Sequence, residues 1–189
     1  MTLQSDSPSY AEFANLGRLV NLCKLEVSFV FSDYRHRNEQ AINVDLMLRP
    51  LAKLSKLVDL DFSSTIKTSF ASLSFVKIAP ILQRLRLSVR ESENLGSAIA
   101  SCPSTLQELN ITTFGTPLRD YECTLIPWAT IKEVTLSGSG DSVCKRGLFD
   151  GLEKALYPVT VSPPCLSFAL LSERADIICS SATHRDLSS

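Results

Sequence analysis

The segment LQRLRL, residues 82–87, carries apolar side chains at its first, fourth and sixth positions, and the same spacing recurs along the chain. The other copies are LCKLEV at 22–27, LVDLDF at 57–62, LQELNI at 106–111, IKEVTL at 131–136 and a weaker LYPVTV at 156–161. Successive copies therefore begin 35, 25, 24, 25 and 25 residues apart. A repeat of this length predicts a solenoid in which each unit hides its apolar face against its neighbours.

Within each unit the hydrophobic period changes from that of a strand to that of a helix. The L-x-L end of a copy alternates apolar and polar residues, as a strand with one buried face does. Between copies the apolar residues follow helical spacing, as in Val44, Met47, Leu48, Leu51 and Leu54. The predicted fold is α/β: about six units with a curved parallel sheet on the concave side and short helices on the convex side.

The predicted solenoid covers residues 1–162. Ser9 and Glu12 form a plausible capping box for a first helix that extends to Val20 and caps the N-terminal end. Residues 163–189 are expected to be either a C-terminal cap or a disordered tail, since Pro163 and Pro164 end the last predicted strand.

The L-x-x-L-x-L copies resemble the leucine-rich-repeat family over residues 10–162 or so. The segment CPSTLQELNI, residues 102–111, is similar to repeats of F-box-type leucine-rich-repeat proteins. The chain departs from the family pattern where many repeats carry Asn, and has instead Val30, Thr65, Arg90, Phe114, Ser139 and Pro164. The resemblance implies a protein–protein interaction scaffold, and in its F-box version the substrate-recognition part of a ubiquitin ligase receptor.

Composition narrows the choice of partners and compartment. The formal net charge is −1 and the basic residues are dispersed, so neither nucleic acid nor a membrane surface is an expected partner. Residues 1–9 lack the apolar core of a signal peptide, which predicts an intracellular protein of the cytoplasm or nucleus. The six cysteines are accordingly expected to stay reduced and to pack as small apolar side chains.

Catalytic and metal-binding motifs are missing from the sequence. Gly138 and Gly140 suggest a dinucleotide loop, but the third glycine position holds Val143. The two histidines, His36 and His184, do not have zinc-ligand spacing. We therefore predict no enzyme activity, no cofactor and no metal. Two alternatives stay open: a hydrolase or transferase with an unrecognised site on its loops, and a truncated remnant without activity.

Three columns of residues are predicted to point away from the core, because side chains alternate across a strand. The third column is Ser28, Ser63, Ser88, Thr112, Ser137 and Ser162, whose hydroxyls either bond one another or contact a partner. The other two columns are mostly charged: Lys24, Asp59, Arg84, Glu108, Glu133 and Pro158 in the first, Glu26, Asp61, Arg86, Asn110, Thr135 and Thr160 in the second.

The predicted partner-binding residues come from these charged columns and from one loop. In the columns, opposite charges either pair on a solvated surface, or Arg84 and Arg86 with Arg90 form a basic patch for an acidic peptide. The residues on the strands that are expected to bind a protein partner are Asp59, Asp61, Arg84, Arg86, Arg90, Glu108, Asn110 and Glu133. The long first interval adds Tyr34 and His36, in a polar loop that is either a spacer or an element of specificity.

Overall fold

The computed structural model describes residues 1–5, 10–29, 41–114, 118–138, 150–151, 153–155 and 160–162. Within them, eight strands form one sheet: β1 (Thr2–Ser5), β2 (Lys24–Phe29), β3 (Ile42–Asn43), β4 (Asp59–Ser69), β5 (Arg84–Glu93), β6 (Glu108–Thr113), β7 (Glu133–Gly138) and β8 (Thr160–Ser162). The strand order is β1-β2-β4-β5-β6-β7-β8, β3 pairs with β4, and every pair is parallel. The predicted α/β class with a parallel sheet is therefore confirmed.

The strands lie side by side in the register that the copies predict. Leu25 is opposite Leu60, Leu60 is opposite Leu85, and the series continues through Leu109 and Val134. These side chains are at most 1% exposed, because alternate positions on a strand face the same side. The first apolar residue of each copy is predicted to point inward as the chain enters the strand. In the second to fifth copies this residue is fully buried: Leu57, Leu82, Leu106 and Ile131.

A backbone hydrogen bond of one type is repeated where the chain enters β4, β5, β6 and β7. At each entry an amide N–H donates to a carbonyl near the entry of the preceding strand over 2.8–2.9 Å: Val58 to Cys23, Gln83 to Val58, Gln107 to Gln83 and Lys132 to Gln107. The next amide in each case donates to the same carbonyl at 3.0–3.1 Å. Successive units therefore enter the sheet with the same local geometry.

The helices lie between the strands in the chain: α1 (Tyr10–Leu16), α2 (Val44–Leu48), a 3-10 helix (Arg49–Lys53), α3 (Phe75–Ile78), α4 (Leu95–Ala100) and α5 (Asp120–Thr124). Pro50 stands at the start of the 3-10 helix, because it has no N–H with which to continue α2. The five apolar residues of this segment that helical spacing groups together are each at most 1% exposed. That predicted buried face is confirmed, although two short helices and the C-cap residue Leu54 supply it.

The N-terminal end differs from the prediction in two respects. Strand β1 pairs with β2 at the edge of the sheet, so a strand precedes the expected capping helix. Four residues are too few to show a reliable alternating pattern. Helix α1 also ends at Leu16, leaving Leu19 and Val20 on the surface at 41% and 53% exposure. Gly17 follows the helix directly, and glycine is a poor helix former.

The last strand is displaced by two residues from its predicted register. Thr160 lies opposite Glu133 and Ser162 opposite Thr135, whereas the aligned copies place Pro158 opposite Glu133 and Ser162 opposite Ser137. A shift of two residues keeps each side chain on the same face of the sheet, so the hydrophobic pattern does not distinguish the two registers. The predicted columns are therefore wrong at their last members.

The core is continuous along the sheet, and aromatic rings mark its N-terminal half. Phe13 packs against Phe29 and Phe29 against Phe62, each with ring centroids 5.7 Å apart. Phe70 meets Phe62 edge-on at 6.3 Å. Such pairs add about 0.5–1.5 kcal/mol to the burial of their area.

Cys123 corrects the expectation that the cysteines remain thiols. It is 1% exposed and disulfide-bonded, and it does not pair with Cys23 or Cys102, which are both free. The other three cysteines lie outside the described residues. Burial raises the pKa of the Cys102 thiol to about 12, so this cysteine stays protonated at neutral pH.

Candidate functional site

The face of the sheet opposite the core carries the charged residues that the sequence singles out. We call the charged strip the alternate positions of β2, β4, β5, β6 and β7 on this face: Lys24, Glu26, Asp59, Asp61, Arg84, Arg86, Glu108, Asn110, Glu133 and Thr135. Strand register sets Asp59 beside Arg84 and Arg84 beside Glu108, as predicted. The structure therefore brings most of the predicted binding residues onto one surface.

Asp59 is the buried centre of the charged strip. Its side chain is only 3% exposed, whereas the surrounding cations Lys24, Arg84 and Arg86 are 41–56% exposed. Arg84 Nε donates a hydrogen bond to Asp59 Oδ2 over 3.1 Å. Lys24 Nζ lies 3.8 Å from Oδ2, and an Arg86 guanidinium nitrogen lies 3.9 Å from Oδ1. Three cations from the two neighbouring strands, β2 and β5, thus converge on one carboxylate of β4.

One oxygen of that carboxylate is incompletely satisfied. Among the described residues, Asp59 Oδ1 has no hydrogen-bond partner, although the charge of Arg86 lies close to it. Leaving a buried acceptor without a hydrogen bond costs about 1–3 kcal/mol. The hydrogen bond from Arg84 and the nearby positive charges offset this cost. The burial of Asp59 does not follow from the sequence pattern, which places it on the exposed side of its strand.

Asp61 lies two residues further along β4 in a more open position. Burial raises the pKa of its carboxyl above the usual value; the nearby Glu26 and Asp59 carboxylates add to the rise, and Arg86 and Lys24 oppose it. Its ion pair with Arg86 is long, at 3.8 Å. Two of the three arginines of the predicted basic patch, Arg84 and Arg86, therefore face aspartates on β4, which neutralise much of their charge.

The charge balance changes at β6 and β7. Glu108 and Glu133 occupy directly opposed positions on these strands, and like charges so placed repel each other. Arg84 approaches Glu108 at 3.9 Å, and the ion pairs among the described residues include none for Glu133. A shallow cavity of about 50 Å³ lies here, lined by Arg84, Leu85, Arg86, Glu108, Leu109, Asn110, Glu133 and Thr135. This end of the strip is consequently acidic.

The hydroxyl column stands beside the charged strip and is half-buried. Its residues pair in register from Ser28 through Ser63, Ser88 and Thr112 to Ser137. Ser63 Oγ donates to Ser28 Oγ over 2.9 Å, which is the mutual bonding that one of the two predictions expected.

The remaining predicted residues lie elsewhere. Arg90 is exposed on β5, two positions beyond the hydroxyl column. Tyr34 and His36 fall outside the described residues, as does residue 158 of the first predicted column.

A second, larger cavity was not anticipated from the sequence. We call it the end cavity, since it lies where β5 and β6 lead into α4 and α5. Its volume is about 330 Å³, and its lining residues are Ser92, Glu93, Asn94, Leu95, Thr113, Leu118, Arg119, Tyr121 and Glu122. Asn94 adopts a left-handed conformation with φ of 60°, which turns the chain from β5 into α4. No sequence motif marks this site, because its residues come from separate loops and strand ends.

Two further observations concern the described residues alone. They contain no group of three or more His, Cys, Asp or Glu side chains that could hold a metal ion. None of their helices has both the length and the apolar character needed to cross a membrane.

Comparisons of the chain with protein-family models, with curated proteins and with solved structures find no match.

Proposed function

We propose that this chain is a leucine-rich-repeat solenoid and that it binds a protein partner through its charged strip. The repeated backbone bond at the strand entries and the parallel, in-register strands support the solenoid. In such an architecture the strand face is the concave surface and is the usual place for a partner.

The observation that carries the proposed function is the acidic end of the charged strip. Glu108 and Glu133 face each other across β6 and β7, while Arg84 is already hydrogen-bonded to Asp59. Two neighbouring carboxylates with one distant cation attract positive charge from outside. The partner therefore presents lysine or arginine side chains to Glu108 and Glu133, rather than acidic groups to Arg84 and Arg86.

The test combines charge reversal with zero-length crosslinking. The purified chain captures binding proteins from a cell extract, and a carbodiimide then couples its carboxylates to lysines that contact them. We expect crosslinks at Glu108 or Glu133, and loss of the same bound protein from the double variant Glu108→Arg, Glu133→Arg.

The matched control reverses two charges away from the acidic end. The variant Lys53→Glu, Lys56→Glu changes exposed residues near the start of β4 and should retain the partner. A partner that binds both double variants equally, or that crosslinks only outside the charged strip, would contradict the proposal.

A further inference from the structure

The end cavity contains a buried carboxylate that has no cationic partner among the described residues. Glu122 is 8% exposed. Its Oε2 accepts a hydrogen bond from the Arg119 amide at 2.8 Å, and its Oε1 accepts one from the Gly96 amide at 3.3 Å. A carboxylate offers about four acceptor positions, so two remain unused. Buried carboxylates in proteins are usually paired with a cation or a metal.

Thr113 supplies a second, independent observation at the same cavity. It is 3% exposed, and in the described part of the chain its Oγ1 has no hydrogen-bond partner. It ends β6, whereas Glu122 belongs to α5, and both line the end cavity. Because buried hydroxyls are normally hydrogen-bonded, this unsatisfied hydroxyl is an acceptor for a donor that enters the cavity.

The other charged groups of the end cavity leave Glu122 available. Lys67 Nζ forms an ion pair with Glu93 at 2.6 Å. The Arg119 guanidinium lies over the Tyr121 ring, 6.0 Å from its centroid. The cavity lining therefore includes the Glu122 carboxylate, with no ion pair among the described residues, and the Thr113 hydroxyl.

We propose that the end cavity binds an ammonium or guanidinium group. Such a group carries several N–H donors and a positive charge, which match the free acceptors of Glu122 and the Thr113 hydroxyl. The carboxyl ends of parallel strands are also where open α/β sheets usually bind ligands. The volume of about 330 Å³ admits a small amine, or one lysine or arginine side chain from another protein.

Nuclear magnetic resonance of the ¹⁵N-labelled chain tests the proposal. The chain is titrated with n-butylammonium and n-butylguanidinium, with n-butanol as the neutral control. We expect saturable shifts of the Gly96, Thr113 and Arg119 amides with either cation and none with the alcohol. Shifts that fail to saturate, or that the alcohol reproduces, would overturn the proposal without any need for a variant.

A blocked tripeptide, acetyl-Gly-Lys-Gly-amide, distinguishes the two sources of the cationic group. If it binds at least as tightly as n-butylammonium, the site accepts a lysine from a protein. If only the free cations bind, the ligand is a small molecule. Both outcomes support the site, whereas the absence of saturable binding by every cation contradicts it.

The variant Glu122→Gln keeps the size and one acceptor of the side chain but removes its charge. We expect it to bind n-butylammonium about tenfold more weakly, as the loss of one charge-assisted hydrogen bond implies. Glu153→Gln makes the same change at an exposed position outside the end cavity and the charged strip, and should bind like the wild type. Equal affinities of the two variants would refute the role of Glu122.

Discussion

Replacing Arg84 with Met should destabilise the fold because it leaves the Asp59 carboxylate buried without its hydrogen-bond donor. The lost bond, at 3.1 Å, is of the charge-assisted kind that contributes about 1.5–3 kcal/mol. Lys24 and Arg86 stay near 3.8–3.9 Å, but both are about half-exposed, and such pairs contribute only about 0–1 kcal/mol each. The free energy of unfolding should therefore fall by about 2 kcal/mol.

Urea denaturation measures this change. With a slope of about 2 kcal/mol per molar urea, the midpoint of the Arg84→Met variant should lie about 1 M below that of the wild type. Arg18→Met is the matched control, since it makes the same change at an exposed position away from the charged strip. Its cost should stay below about 0.5 kcal/mol.

A double variant isolates the cause. Asp59→Asn added to Arg84→Met removes the buried charge, so the double variant should be more stable than Arg84→Met alone by about 1 kcal/mol. If the double variant instead shows the full sum of the two single losses, the unpaired charge of Asp59 is not the reason for the instability. An Arg84→Met midpoint equal to that of Arg18→Met would refute the reasoning altogether.

Three other perturbations follow from burial and packing. Folding raises the pKa of the Asp61 carboxyl, so ionisation of this group opposes folding at neutral pH but has no effect below its unfolded pKa. Asp61→Asn should therefore be more stable than the wild type in urea at pH 7, and this advantage should disappear near pH 3. A Cβ at Gly151 would overlap the indole of Trp128, the single tryptophan, so Gly151→Ala should shift its fluorescence to longer wavelength; an unchanged emission maximum would refute this contact. Phe62→Ala, at a fully buried ring, should cost about 3–5 kcal/mol in a thermal or urea melt, against less than about 0.5 kcal/mol for Phe114→Ala at 59% exposure.

The repeat could be predicted from sequence because its signal is cumulative. Each L-x-x-L-x-L copy is short, but four spacings of 24 or 25 residues reinforce one another, and a parallel sheet is the arrangement that buries all of them. The charged columns followed from the two-residue period of a strand, which is why the contact of Asp59 with Arg84 was foreseen.

The departures from prediction occur where the pattern carries less information. The two-residue displacement of β8 leaves the same residues facing inward, so hydrophobicity alone does not fix it. The burial of Asp59 depends on how long cationic side chains on neighbouring strands fold over it, which spacing does not encode. The end cavity was missed because Thr113 on β6 and Glu122 on α5 are apart in the sequence and line the same cavity only in the folded chain.

The main strands follow one another in the sheet in their chain order, so among the described residues each inner strand pairs with the strand before it and the strand after it. In the solenoid proposed above, a defect in β7 should weaken its own end of the sheet and leave β2 intact. Unfolding should then begin at whichever terminus is weaker and advance inward, so amide exchange is expected to slow progressively toward β5. A substitution in one strand, or in its surface charges, should therefore have little effect on the stability of the strands further away.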